Sequence, residues 1–85
     1  MPTKDELITT LKTIIKPYVQ NEQAFEHVTE QTDFINDLKI NSANLVDVAL
    51  DVEEAYDIEI DNDSMERMLT VGDAISIITQ KLHDK

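Results

Sequence analysis

Apolar residues recur along this chain at helical spacing. Leu7, Leu11, Ile14 and Tyr18 fall on one helical face with Ile8 and Ile15 beside it, the period of an amphipathic helix. The run opens with Thr3-Lys4-Asp5-Glu6, a capping box in which the Thr3 hydroxyl and the Glu6 carboxylate each satisfy an orphan amide, and Pro17 ends it. A helix is expected from about Pro2 to Lys16. A second is expected from about Ser42 to Tyr56, with Leu45, Val48, Ala49, Val52 and Tyr56 inward and Asn44, Asp47, Asp51 and Glu54 on the opposite side. Ala43, Val46 and Leu50 form a short apolar row on a flank that this stripe leaves uncovered.

Between Tyr18 and Asn41 the period is lost, yet Phe25, Val28, Phe34, Ile35, Leu38 and Ile40 are too apolar for a solvated linker. The pattern predicts a long packed loop, a class of segment that often carries function. Ile58 and Ile60 should pin a connection onto the core. Asp63-Ser64-Met65-Glu66 offers a cap for a short third helix with Met65, Met68 and Leu69 inward. Thr70-Val71-Gly72-Asp73 starts a last helix with Val71, Ala74, Ile75, Ile78 and Leu82 inward, fraying toward His83-Asp84-Lys85. The fold class is therefore all-α: a four-helix bundle with a long first loop and a short third helix, one domain over residues 1–85.

Composition narrows the function. A single glycine and two prolines leave little for a phosphate-cradling loop or a turn-rich β-fold. Without cysteine there is no disulfide, thiolate metal site or polypeptide thiol nucleophile. A formal net charge of -11 over 85 residues repels nucleic acid and anionic lipid and attracts basic partners, so neither nucleic-acid binding nor stable membrane insertion is expected. The same repulsion favours a monomer. The N-terminus lacks the basic and apolar regions of a signal peptide, and no apolar run approaches spanning length, which points to the cytoplasm.

Candidate chemistry centres on Ser42, at the junction of the long loop and the acidic second helix. Its hydroxyl suits a helix N-cap. A phosphodiester there would also meet the free amides and positive end of the helix dipole. His27 and His83 supply no plausible triad with it, and His27 is read as a loop histidine making a local hydrogen bond. A calcium loop starting at Asp57 fails because its sixth position is Asn62 and its twelfth Met68; only loose cation association among Asp57, Glu59, Asp61 and Asp63 remains. Neither a catalytic residue nor a metal site is expected.

Asp37-Leu38-Lys39-Ile40-Asn41-Ser42-Ala43-Asn44-Leu45-Val46-Asp47 resembles the phosphopantetheine attachment segment of acyl carrier proteins. Glu53-Glu54-Ala55-Tyr56-Asp57-Ile58-Glu59-Ile60 and Thr70-Val71-Gly72-Asp73-Ala74-Ile75 are similar to that family's acidic helix end with its isoleucine anchors and to its fourth-helix start. The resemblance implies that a phosphopantetheinyl transferase moves phosphopantetheine from coenzyme A onto Ser42. The covalently attached arm then holds acyl groups as thioesters and presents them to acyl-loading, condensing and modifying enzymes of fatty-acid or polyketide-type biosynthesis. Docking would use Asn41, Ala43, Val46, Asp47, Leu50, Asp51 and Glu54 against basic patches. The family usually has Asp-Ser-Leu where this chain has Asn41-Ser42-Ala43. That departure keeps a second reading open, an acidic helical protein-protein interaction module that is never phosphopantetheinylated.

Overall fold

The computed structural model describes residues 2–84. Its helices are α1 (Lys4–Ile15), α2 (Glu22–Glu26), α3 (Asn44–Tyr56), α4 (Asn62–Arg67) and α5 (Val71–Asp84), with a 3-10 turn, Lys16–Tyr18, extending α1 past Pro17. The expected all-α architecture is present, and the long first loop contains one helix that the pattern did not predict. α2 escaped because it is a single turn held by a local device: the Asn21 side chain accepts the Ala24 amide at 3.2 Å, and Lys12 sits 5.1 Å above the Phe25 ring.

The helix starts follow their capping chemistry. At α1 the Glu6 amide donates to Thr3 Oγ1 at 3.2 Å, and the Thr3 hydroxyl donates to the Glu6 carboxylate at 3.3 Å, so the box closes through the two side chains. The inward stripe is Leu7, Leu11 and Ile15; Ile14, expected on that face, is half-buried at its edge with Ile8. At α5 the box is reciprocal, Asp73 amide to Thr70 Oγ1 at 3.1 Å and Thr70 amide to Asp73 Oδ2 at 3.2 Å. α5 buries Ile77 besides the expected Val71, Ala74, Ile75 and Ile78. It also remains helical through Asp84 where fraying was expected; Lys85 lies outside the described residues.

α4 is displaced from its expectation. Asp61 rather than Asp63 is the cap, accepting the Ser64 amide at 2.7 Å, and Ser64 is buried while Leu69, expected inward, is half exposed. Met68 takes the core position. Ile60 is buried and its amide donates to the Glu53 carboxylate at 2.6 Å, anchoring the connection after Asp57, whose left-handed backbone ends α3.

The loop is part of the core. Phe34, Leu38 and Ile40 are essentially fully buried, each contributing about 1.5–3 kcal/mol of apolar burial against the cost of ordering the stretch that carries them. The loop is stitched to the α4–α5 junction by the Phe34 amide on Leu69 O at 3.0 Å, Val71 amide on Thr32 O at 3.0 Å and Gly72 amide on Glu30 O at 2.7 Å, with an antiparallel bridge between Asp33 and Thr70. Among the described residues no helix is long and apolar enough to cross a membrane.

Candidate functional site

The segment leading to Ser42 is built around two aspartates. Asp33 Oδ1 accepts the amides of Ile35 and Asn36, both at 2.8 Å, and Asp37 Oδ2 accepts the Asp33 amide at 2.8 Å. The Asp33 carboxyl is held below its ordinary value, foremost by the Asn36 amide, against an opposing push from burial. From the other side, Gln20 and Asn21 amides converge on Leu38 O at 3.1 and 3.2 Å, and Asn21 Nδ2 donates to Asp37 O at 3.0 Å. The chain then turns through Lys39 with φ 59°, and the Ile40 amide returns to Phe34 O at 3.0 Å. Ile40 is buried two residues before Ser42. The serine is therefore delivered from a tightly hydrogen-bonded platform.

At the start of α3 the structure corrects the expected cap. Asn41, two residues upstream of Ala43, accepts the Ala43 amide on its Oδ1 at 2.9 Å and the Asn44 amide on its backbone oxygen at 2.8 Å. Ser42 lends only its carbonyl, to Leu45 at 3.2 Å. Its hydroxyl makes no hydrogen bond to the described protein and is exposed on the turn. The Asn41 side chain reaches forward two residues in an Asx turn, and the amides a Ser42 cap would use go to the backbone oxygens of Asn41 and Ser42. The amides at 43, 44 and 45 are thus already engaged, which leaves fewer free amides to face a phosphodiester than a serine at the helix start implied.

The acidic face of α3 divides in two. Asp47 and Glu54 are exposed, as are Asn41 and Ala43, with Val46 45% and Leu50 53% exposed between them. Asp51 is half-buried and accepts the Tyr18 hydroxyl at 3.2 Å. Sequence reasoning placed all three carboxylates on one outer side and missed this pairing, which needs the 3-10 turn at Pro17 to bring Tyr18 back toward α3. An open groove runs beside the far end of α3, lined by Leu50, Glu53, Glu54, Ile58 and Lys81 among others; it lies about 17 Å along the helix from Ser42.

His27 does not make the expected ring hydrogen bond. It ends α2 through its backbone amide, on Ala24 O at 3.1 Å, and His83 sits exposed on the last turn of α5. No group of three or more His, Asp or Glu among the described residues is arranged to hold a metal ion.

No family model matches the chain. Curated proteins do. The acyl carrier protein of Coprothermobacter proteolyticus is 34% identical over 82 residues, covering 96% of this chain and 98% of the relative. That of Thermotoga maritima is 33% identical over 82 residues, 96% of this chain and 99% of the relative, and that of Caulobacter vibrioides is 46% identical over 56 residues, 66% of this chain and 72% of the relative. Among solved structures, hexanoyl ACP from the actinorhodin polyketide synthase of Streptomyces coelicolor superposes with a TM-score of 0.75 at 19% identity, covering 99% of this chain and 94% of that one. That structural match shares the fold.

Proposed function

The chain belongs to the acyl carrier protein family, and from that premise we propose that Ser42 is the attachment point of a phosphopantetheine arm on a carrier of fatty-acid or polyketide-type biosynthesis. The observation that carries this is the Ser42 hydroxyl itself: exposed, without a hydrogen bond to the described protein, and held on a turn whose neighbours are fixed. A serine acting as N-cap would have its oxygen engaged by an early amide; here the amides of Asn44 and Leu45 go to the backbone oxygens of Asn41 and Ser42, and Ser42 Oγ is left available.

Transfer would form an oxygen–phosphorus ester at Ser42 Oγ while the pyrophosphate P–O bond of coenzyme A breaks, adenosine 3′,5′-bisphosphate leaving with its electron pair and the hydroxyl proton passing to a base of the transferase. The attached group supplies a terminal thiol that holds acyl cargo as a thioester, which a chain without cysteine cannot supply itself. Every other task falls to this chain's residues. Asn41 and the Asp33–Asp37 platform fix the direction in which Ser42 projects. Exposed Asp47 and Glu54, with Val46 and Leu50 between them, offer a charged and partly apolar surface to enzymes with basic patches, including the phosphopantetheinyl transferase and the acyl-loading, condensing and modifying enzymes. The protein is on this reading a carrier rather than a catalyst, a single domain over residues 1–85, acting in the cytoplasm as a monomer.

The departure from Asp-Ser-Leu is mild at its first position, because Asn and Asp accept the same cap bond through Oδ1. The test is intact-mass spectrometry after incubation with coenzyme A and a broad-specificity phosphopantetheinyl transferase. One phosphopantetheine added to the wild type and none to Ser42→Ala is the expected result. No addition with several transferases would replace this reading with an unmodified interaction module.

A further inference from the structure

Over residues 17–66 the chain carries a single Lys or Arg, Lys39, against fourteen Asp and Glu. It stands three residues before Ser42. That setting is hostile to a phosphodiester, which would carry its own negative charge. Of the usual compensations, three amides at the start of α3 are already engaged: Ala43, Asn44 and Leu45 donate to Asn41 and Ser42 oxygens. Of the other cations, four are engaged, Lys4 with Glu30 at 3.2 Å, Lys81 with Asp61 at 3.4 Å, Lys12 over Phe25 and Arg67 on Ser64, and Lys16 stands at the end of α1, far from Ser42 in sequence.

Lys39 is exposed and makes no ion pair among the described residues. The carboxylate nearest to it in sequence, Asp37, has an oxygen committed to the Asp33 amide. Its backbone is also unusual: φ is 59°, a left-handed conformation that disfavours any residue with a Cβ and suits glycine. A lysine placed where glycine would be less strained is an outlier that asks for a function.

We propose that Lys39 is the counter-charge of the phosphodiester on Ser42, its ammonium pairing with the non-bridging phosphate oxygens and fixing the base of the arm against the loop. This rests on the carrier reading of Ser42. Three residues of backbone span at most about 10 Å, a gap that the flexible four-carbon stem of lysine can close. The pairing supplies the charge-assisted contact that the start of α3 does not.

The experiment uses full-length protein in apo and holo forms, each verified by mass, as wild type, Lys39→Gln and Lys39→Arg. The Lys39 ε-methylene and ammonium NMR resonances should move from apo to holo protein at low salt, with those of Lys16 unmoved. The movement should shrink near 1 M salt. In holo Lys39→Gln the phosphorus-31 resonance should shift and the first carbons of the arm become more mobile, and Lys39→Arg should restore both. Lys39 side-chain resonances that are identical in apo and holo protein, or a Gln variant with wild-type phosphorus shift and arm mobility, overturn the proposal. Failure of the wild type to gain the phosphopantetheine mass overturns the carrier reading as well, and is seen before any NMR comparison begins.

Discussion

Tyr18 donates its hydroxyl to Asp51 at 3.2 Å, tying the turn after α1 to the middle of α3. The bond joins residues 33 positions apart and takes one carboxylate of the acidic face out of free solution. The Tyr18 hydroxyl is pushed above its ordinary value of 10.0, first by burial, then by the bond to Asp51 and the negative charges of Asp51 and Asp47. Because the folded value lies above the unfolded one, the contribution of Tyr18 is complete below about pH 10 and is lost as pH rises through the raised value. Tyr18→Phe should therefore lower Tm at pH 7, and the gap to the parent should narrow above pH 10. Thermal melts between pH 7 and 11 measure it; a gap that stays constant would mean the bond contributes nothing.

Gly72 sets two effects against each other. Alanine is the better helix former by up to about 1 kcal/mol, and position 72 lies in the first turn of α5. A Cβ there would meet the Glu30 carbonyl oxygen at 2.8 Å and Glu30 Cβ at 3.3 Å, and that same oxygen accepts the Gly72 amide. A backbone oxygen in a bonded stitch cannot rotate aside, so the clash wins. Gly72→Ala should destabilise by about 1–3 kcal/mol in urea denaturation. A stabilised variant would show that the loop gives way freely at Glu30.

Asp61 governs the acid limb. The backbone amide of Ser64, foremost, with its side chain and Lys81, holds the carboxyl at about 2 against an ordinary 3.8. A depressed folded value means stability that is present above the unfolded pKa and lost as pH falls through about 2. Asp61→Asn keeps an oxygen able to cap α4 but gives up the charge and the Lys81 pair. It should be less stable than the parent at pH 7, with the difference closing between about pH 4 and pH 2. Comparing the two proteins at each pH cancels most of the general relief of repulsion that acid brings to so negative a chain. A difference independent of pH would assign the effect to cap geometry alone.

What the sequence revealed and what it hid divide by the range of the interaction. Periodicity located α1, α3 and α5, and the box at Thr70 closed as its spacing suggested, while that at Thr3 closed by half, Glu6 taking the Thr3 hydroxyl in place of its amide. Packing around Ile15 and Met68 shifted the buried stripe by a residue or less. The misses arise where neighbouring groups could each close a helix start, Asp61 over Asp63 at α4 and, at α3, the oxygens of Asn41 with the Ser42 carbonyl over the Ser42 hydroxyl. Composition cannot rank such rivals; backbone direction does. The Asp33–Asp37 platform carried a readable Asx signal in its spacing, whereas Tyr18–Asp51 depends on tertiary closure and left no local trace.

That division decides how the acidic face should respond to mutation. Asp47 and Glu54 are exposed and Asp51 is half-buried under Tyr18, so the three carboxylates, alike in sequence, are unlike in role. Exposed charges set encounter rates with basic partners and add little to stability. Reversal of Asp47 and Glu54 to lysine should slow association with a basic partner enzyme by about tenfold or more at low ionic strength, with helicity unchanged. Asp51→Asn should lower Tm by weakening the Tyr18 bond and, removing one half-buried charge where the double reversal changes two exposed ones, should slow association far less. Stopped-flow association at low and high salt, beside circular dichroism melts, separates the two. High salt should erase most of the difference between the double reversal and the parent, because screening shortens the reach of exposed charge to about 3 Å at 1 M. Equal rates for parent and double reversal at low salt would take the docking role away from this face and leave Val46 and Leu50 as its only candidates.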